Sequence, residues 1–282
     1  MRRRLFGASA VLGFLMALPA ARAADKPAEQ EGRVWFYGNF TTALTPHWSF
    51  TVMPGIRYEY ARWDVPNVPG TREVYMYETF VGPNYTQKLG NLTLKGSLWY
   101  YYIGYPQRKE STSPAMADDK YNYSSNIEVI PQAEYRIGRF SIQDRVIFHN
   151  TIFSDIYHKN SERWGFGMVL RELLQVRFAA TDTLGISVGD EPFFGIIEDG
   201  QTAKLNPPPN YSPLGYWKSG FRLNRVYVGV DYKITPALTV TPMYMFETTV
   251  SPTDSTDVTA NAHYLFVTLS YLLKLFPDPP KP

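Results

Sequence analysis

Residues 48–60 read Trp-Ser-Phe-Thr-Val-Met-Pro-Gly-Ile-Arg-Tyr-Glu-Tyr, with every even position apolar and most odd ones Ser, Thr, Gly, Arg or Glu. Strand side chains point alternately to opposite faces, so this pattern makes one face greasy and leaves the other fit for water. Comparable segments of roughly ten to fifteen residues recur along the chain, joined by alternately short and long connections. A soluble sandwich would bury the greasy faces against each other. A membrane barrel turns them to lipid, which is the expectation here.

A leader precedes this pattern. Met1-Arg2-Arg3-Arg4 is a basic start, Leu5 to Leu18 a short apolar run, and Ala21-Arg22-Ala23 an A-x-A cleavage pattern. Residues 1–23 therefore read as a secretory signal peptide, with the mature chain starting at Ala24. Its removal lowers the basic residues from 28 to 24 against 26 acidic ones, so the mature chain is slightly acidic. That balance gives no reason to expect nucleic acid as a partner. There is no Cys, which excludes both disulfides and a lipid anchor on cysteine. Beyond the leader no apolar run is long enough for a spanning helix, and a barrel needs none. The chain holds 21 Tyr, 17 Phe and 6 Trp, enough to furnish two interfacial girdles. Trp99-Tyr100-Tyr101-Tyr102 and the pair Tyr75 and Tyr77 are assigned to them.

The alternation predicts strands near 33–43, 48–60, 73–87, 91–105, 123–137, 140–153, 163–179, 183–194, 220–233, 237–248 and 261–274. Turn residues mark the short connections: Thr45-Pro46-His47, Gly90-Asn91, Gly138-Arg139, Thr181-Asp182 and Thr235-Pro236. Longer polar stretches, 61–72, 106–122, 154–162, 195–219 and 249–260, alternate with them. Short turns suit the periplasmic side and long loops the extracellular side. Eleven strands would leave the first parallel to the last. Bacterial barrels are expected to have an even number, so about twelve are predicted: either 24–33 supplies a short extra strand or the first strand lies elsewhere than 33–43. Helix competes only at 168–176; a period of two from Trp164 to Phe178, broken by Glu172, favours a strand. Asp144 is a similar break, among Phe140, Ile142, Val146 and Phe148.

Three stretches resemble the DUF2490 family of bacterial outer-membrane β-barrel proteins. One is Val34-Trp35 to Leu44 with Trp48-Ser49-Phe50 and Arg57-Tyr58-Glu59; another is Arg171 to Phe194, ending Gly189-Asp190-Glu191-Pro192-Phe193-Phe194. The third is Asn224 to Lys233, followed by Thr235-Pro236 and the strand to Tyr244. The resemblance implies a barrel over residues 24–276 in the bacterial outer membrane and carries over no catalytic residue. The chain departs from it in a Pro-rich tail, 277–282, after Leu275-Phe276.

Counted outward from the nearest short turn, Arg57, Glu78, Glu128, His149, Arg171, Glu191, Arg225 and Glu247 all lie roughly ten residues along and on the water-facing side. Adjacent strands would then pair Arg57 with Glu78, Arg171 with Glu191, Arg225 with Glu247, and His149 with Glu128. Lys95, Glu134, Arg145, Arg177 and Asp231 form a lower layer. Two functions suit such a layer. Ion pairs between strands satisfy buried charge and pin the register. Crossed Arg and Glu fields also orient a small polar solute.

Catalysis has little support. His47-Trp48-Ser49 has the His-x-Ser spacing of some outer-membrane lipid hydrolases, but both polar groups fall on the inner side. His149, His158 and His263 lack metal spacing, and Asp118-Asp119 with Glu110 reads as solvated loop charge. The loop 195–219, with Pro207-Pro208-Pro209 and Tyr216-Trp217, suits a lid, a binding surface for sugar or protein, or an interfacial anchor. The resulting expectation is a transmembrane antiparallel β-barrel without enzymatic activity, cofactor or metal. It acts as a narrow channel for small polar or charged solutes; the alternative is a plugged structural or accessory barrel in envelope assembly or polymer export. Lipid surrounds it, sugars are possible ligands, and protein partners are undefined.

Overall fold

A computed structural model of the chain describes residues 28–63, 73–106, 122–154, 164–197, 219–251 and 254–276. The leader, the tail, Asp118-Asp119, His158 and most of the long loops lie outside these residues. The described residues form eleven strands: β1 (Glu29–Ala43), β2 (Trp48–Trp63), β3 (Glu73–Leu89), β4 (Leu92–Tyr105), β5 (Asn122–Ile137), β6 (Phe140–Ser154), β7 (Trp164–Ala179), β8 (Leu184–Ile197), β9 (Gly220–Lys233), β10 (Leu238–Val250) and β11 (Val258–Lys274). Each pairs with its chain neighbours, and β1 pairs with β11 to close a barrel.

The strand count is eleven, where about twelve were expected. Residues 29–32 extend β1 instead of forming a strand of their own. β1 and β11 consequently run in the same direction, paired from Glu29↔Ala260 to Ala43↔Lys274. A parallel ladder is only slightly weaker per residue than an antiparallel one. Fifteen consecutive pairs of it remove both free edges, which decides the closure. β1 begins at the long-loop end and β11 finishes at the short-turn end.

The short turns follow from their residues. Gly90 and Gly138 have φ of 62° and 59°, the left-handed values that a two-residue hairpin requires. In three other turns a threonine hydroxyl does the work. Thr45 Oγ1 accepts from the amides of His47 and Trp48, Thr181 Oγ1 from Thr183 and Leu184, and Thr235 Oγ1 from Ala237 and Leu238.

The outer wall is apolar. Phe50, Ile56, Leu98, Val129 and Val228 are exposed there, and Phe178 stacks beside Phe140 at 5.0 Å. The aromatic assignment needs correction in part. Tyr77 and Tyr100 do face outward, but Tyr75 and Tyr101 are buried inside the barrel, and Trp99 packs against the buried cluster there. At Tyr75 the cause is a bulge: Arg57 faces Met76 while Tyr58 faces Val74, so one extra residue turns inward.

Asp144 and Glu172 are exposed on the outer wall, with no register shift at either. Leu174 pairs with Asp144 on one side and Asp190 on the other. Asp190 accepts a 2.6 Å hydrogen bond from Asn224 Nδ2. Three carboxylates thus interrupt the apolar band on neighbouring strands, with apolar residues above and below them. Charge on that face is unfavourable. Replacing Glu172 with Leu is expected to stabilise the barrel by on the order of 1 kcal/mol. Reversible urea unfolding in phosphatidylcholine vesicles, followed by tryptophan fluorescence, measures this.

Candidate functional site: a closed ring of charge and aromatic rings inside the barrel

Alternate residues of each strand point inward, and at one height those residues meet in a continuous circuit. Arg57 Nε donates to Glu78 at 2.8 Å, and Tyr37 and Tyr101 hydroxyls donate to the same carboxylate. Tyr101 meets the edge of His149 with ring centroids 5.5 Å apart. His149 Nδ1 lies 2.9 Å from Glu128. Arg171 then spans β6, standing 3.6 Å from Glu128 and 2.9 Å from Glu191. Glu191 also accepts from the Tyr227 hydroxyl. Arg225 Nε donates to Glu247 at 2.6 Å, and Tyr264 donates to Glu247 at 2.9 Å.

Trp35 closes the circuit. Its ring lies under the Arg57 guanidinium at 3.5 Å and within 5.1 Å of the Arg225 guanidinium. Arg225 and Arg171 in turn lie 4.5 and 4.7 Å from the Phe193 ring. Two arginines thus share each aromatic face, a contact that holds like charges together only because the rings and carboxylates between them carry negative potential. A second node sits just above: Arg33 pairs with Glu31 and Glu59 and donates to Tyr264 at 2.7 Å. Every strand contributes at least one member.

The eight lumen residues named from the sequence all lie in this circuit, and the four expected contacts between neighbouring strands are made. The Arg33–Glu59 node, Trp35 and the four tyrosine hydroxyls were missed. Their inward parity was readable, but aromatic residues were assigned to the outside. Burial of a tyrosine or tryptophan requires a partner for its polar atom, and a neighbouring inward Glu was the available signal.

Beneath the ring the barrel holds an apolar septum of Phe80, Leu173, Met245 and Tyr37, with Met53, Trp99, Met243 and Phe266 packed against it. Tyr37 fits because Gly55 faces it across β1 and β2; a Cβ there would collide with the ring. Glu59, Glu191 and Met245 are 0 % exposed and Glu78 and Glu128 2 %. The carboxylates of the ring are thus shielded from water, while the side chains of Arg57, His149 and Arg171 stay 13, 13 and 17 % exposed.

Below the septum the interior is polar and half-buried. Arg177 donates to Asp231 at 2.6 Å, crossing β8 over Gly185, where a Cβ would collide with the guanidinium. Glu134 pairs with Arg136, while Lys95 and Arg145 form no ion pair among the described residues. No group of three or more His, Cys, Asp or Glu is placed to hold a metal among the described residues. His47 Nδ1 lies 3.0 Å from the Thr86 carbonyl, and Ser49 Oγ accepts from Asn84 Nδ2 at 3.3 Å, so the two do not form a nucleophile–base pair.

A closed cylinder that is apolar outside and ion-paired inside is a transmembrane β-barrel. The chain belongs to the family described as Protein of unknown function (DUF2490), whose model matches residues 32–258. No curated protein matches it. Among solved structures it is similar to the chain titled "Outer-membrane expressed OmpT of Vibrio cholerae", at 13 % identity and a TM-score of 0.37. That alignment covers 77 % of this chain and 60 % of the other, less than two thirds of its length.

Buried ion pairs stabilise little over an apolar core, but breaking one leaves an unpaired buried charge. Glu191→Ala strands Arg171 and the Tyr227 hydroxyl and is expected to destabilise the barrel by about 3–5 kcal/mol. Tyr227→Phe removes one hydrogen bond to a charged group and should cost about 1.5–3 kcal/mol. Urea unfolding midpoints in vesicles distinguish the two.

Proposed function

We propose that this protein is a sealed, non-enzymatic barrel of the bacterial outer membrane, serving as a structural or accessory element of the envelope. One observation carries the reading: the carboxylates of the ring are buried, and a packed apolar septum lies directly beneath them. An open channel needs a continuous wet path, and the charged layer expected from the sequence to select solutes is consumed by its own partners. The short turns face the periplasm in this reading and the long loops face outward. The polar groups of the ring are bound to one another, which supports a scaffold over an active site.

Conductance is the test. The purified full chain in planar bilayers is expected to give no discrete steps. The quadruple variant Trp35→Ala, Arg225→Ala, Phe80→Ala, Met245→Ala removes the ring members that bridge β1 and β9 together with two side chains of the septum beneath, and is expected to conduct. Steps from the wild-type protein, with an ion selectivity that shifts in Arg171→Ala, would instead support the narrow channel.

A further inference from the structure

The polar chamber below the septum contains a charge imbalance that the ring above does not absorb. Lys95 on β4, Gln132 on β5 and Arg145 on β6 lie in one inward-facing row, paired Lys95↔Gln132 and Gln132↔Arg145. Two lateral strand spacings separate the cations, roughly 10 Å between backbones, so two long side chains can converge on a ligand over Gln132. Neither has an ion pair among the described residues, and Arg145 Nε is buried without a hydrogen-bond partner. Arg145 contributes to the field at Glu191, but that carboxylate is held by Arg171 and Tyr227. Gln132 donates to Gln143 Oε1 at 3.1 Å, which leaves the Gln143 amide nitrogen as a further donor in the same patch.

Access comes from the short-turn end. Gln132, Gln143, Lys95 and Arg145 are half-buried, unlike the buried carboxylates of the ring. The rim at that end carries Lys88, Arg139, Lys233 and Lys274 against Asp182. A basic mouth leading to unpaired cations between low-dielectric walls concentrates anions.

We propose that Lys95 and Arg145, with the amides of Gln132 and Gln143, form a binding site for a small oxyanion, a phosphate or carboxylate group entering from the short-turn mouth. The planar guanidinium of Arg145 offers its two terminal amino groups as parallel donors to such a group, and Lys95 supplies a point charge opposite. The septum makes the site a dead end, so the ligand leaves by the mouth it entered. The site needs only an open lower chamber and stands whether or not the septum conducts.

Isothermal titration of the detergent-solubilised full chain with sodium phosphate, and separately with sodium succinate, tests this at constant ionic strength. Saturable binding of either anion is expected, with the tighter one identifying the phosphoryl or carboxyl class. Arg145→Gln and Lys95→Gln should each weaken binding at least tenfold, and Lys95→Arg should retain it. Heat-modifiable migration in gels reports that each variant is folded. Absence of saturable binding by both anions, or unchanged affinity in folded Arg145→Gln and Lys95→Gln, would overturn the proposal.

Discussion

The interaction on which the structure depends is the pairing of each ring Glu with an Arg, Tyr or His on another strand. A barrel in lipid has inverted requirements: its outside gains nothing from burial away from water, so packing and polar satisfaction must come from within. Here Glu78, Glu191 and Glu247 each accept from donors on the strands to either side, and Glu128 is held from one side by His149 on β6 and Arg171 on β7. No member is satisfied by its own hairpin alone. The ring therefore couples strands that the backbone ladder joins only pairwise, and it fixes the register of all of them together. A one-residue slip of any strand would turn its charged member outward into lipid.

The same constraint explains the odd strand number. β1 carries Trp35, Tyr37 and Arg33 into the ring, and β11 carries Tyr264. Trp35 and Tyr264 pack edge to face with centroids 4.6 Å apart across the β1–β11 seam. A twelfth strand between them would part these contacts. The seam is thus closed on both levels, by a parallel backbone ladder and by the side chains that cross it. Among the described residues the outward carboxylates Asp144, Glu172 and Asp190 break the apolar wall, and Asn224 offsets the last of them with a hydrogen bond.

Much of this was legible in the chain. A period of two is a local property of the covalent backbone, so strand positions, facing and turn chemistry could be read from residues such as Trp48 to Tyr60 and Gly90-Asn91. The segment 164–179 held as a strand against its helical composition because its apolar residues keep that period. Counting from the turns even brought Arg57 to Glu78 and Arg225 to Glu247, since hairpin register follows from turn position. The direction of Tyr75 was not readable, because a bulge depends on both strands. The inward role of Trp35, Tyr37, Tyr101 and Tyr227 was hidden because an aromatic residue is at home at a lipid interface and in a dry lumen alike.

Sequence alone determined that this chain is a series of two-faced strands with charge on the inner face, because alternation and turn chemistry are encoded within a few residues. Only the tertiary structure decided that eleven strands suffice, that Arg171 reaches past its neighbour to Glu128, and that the lumen is filled at the level of the ring. Those outcomes depend on curvature and on the distance across the barrel, and no residue carries that distance in its own identity.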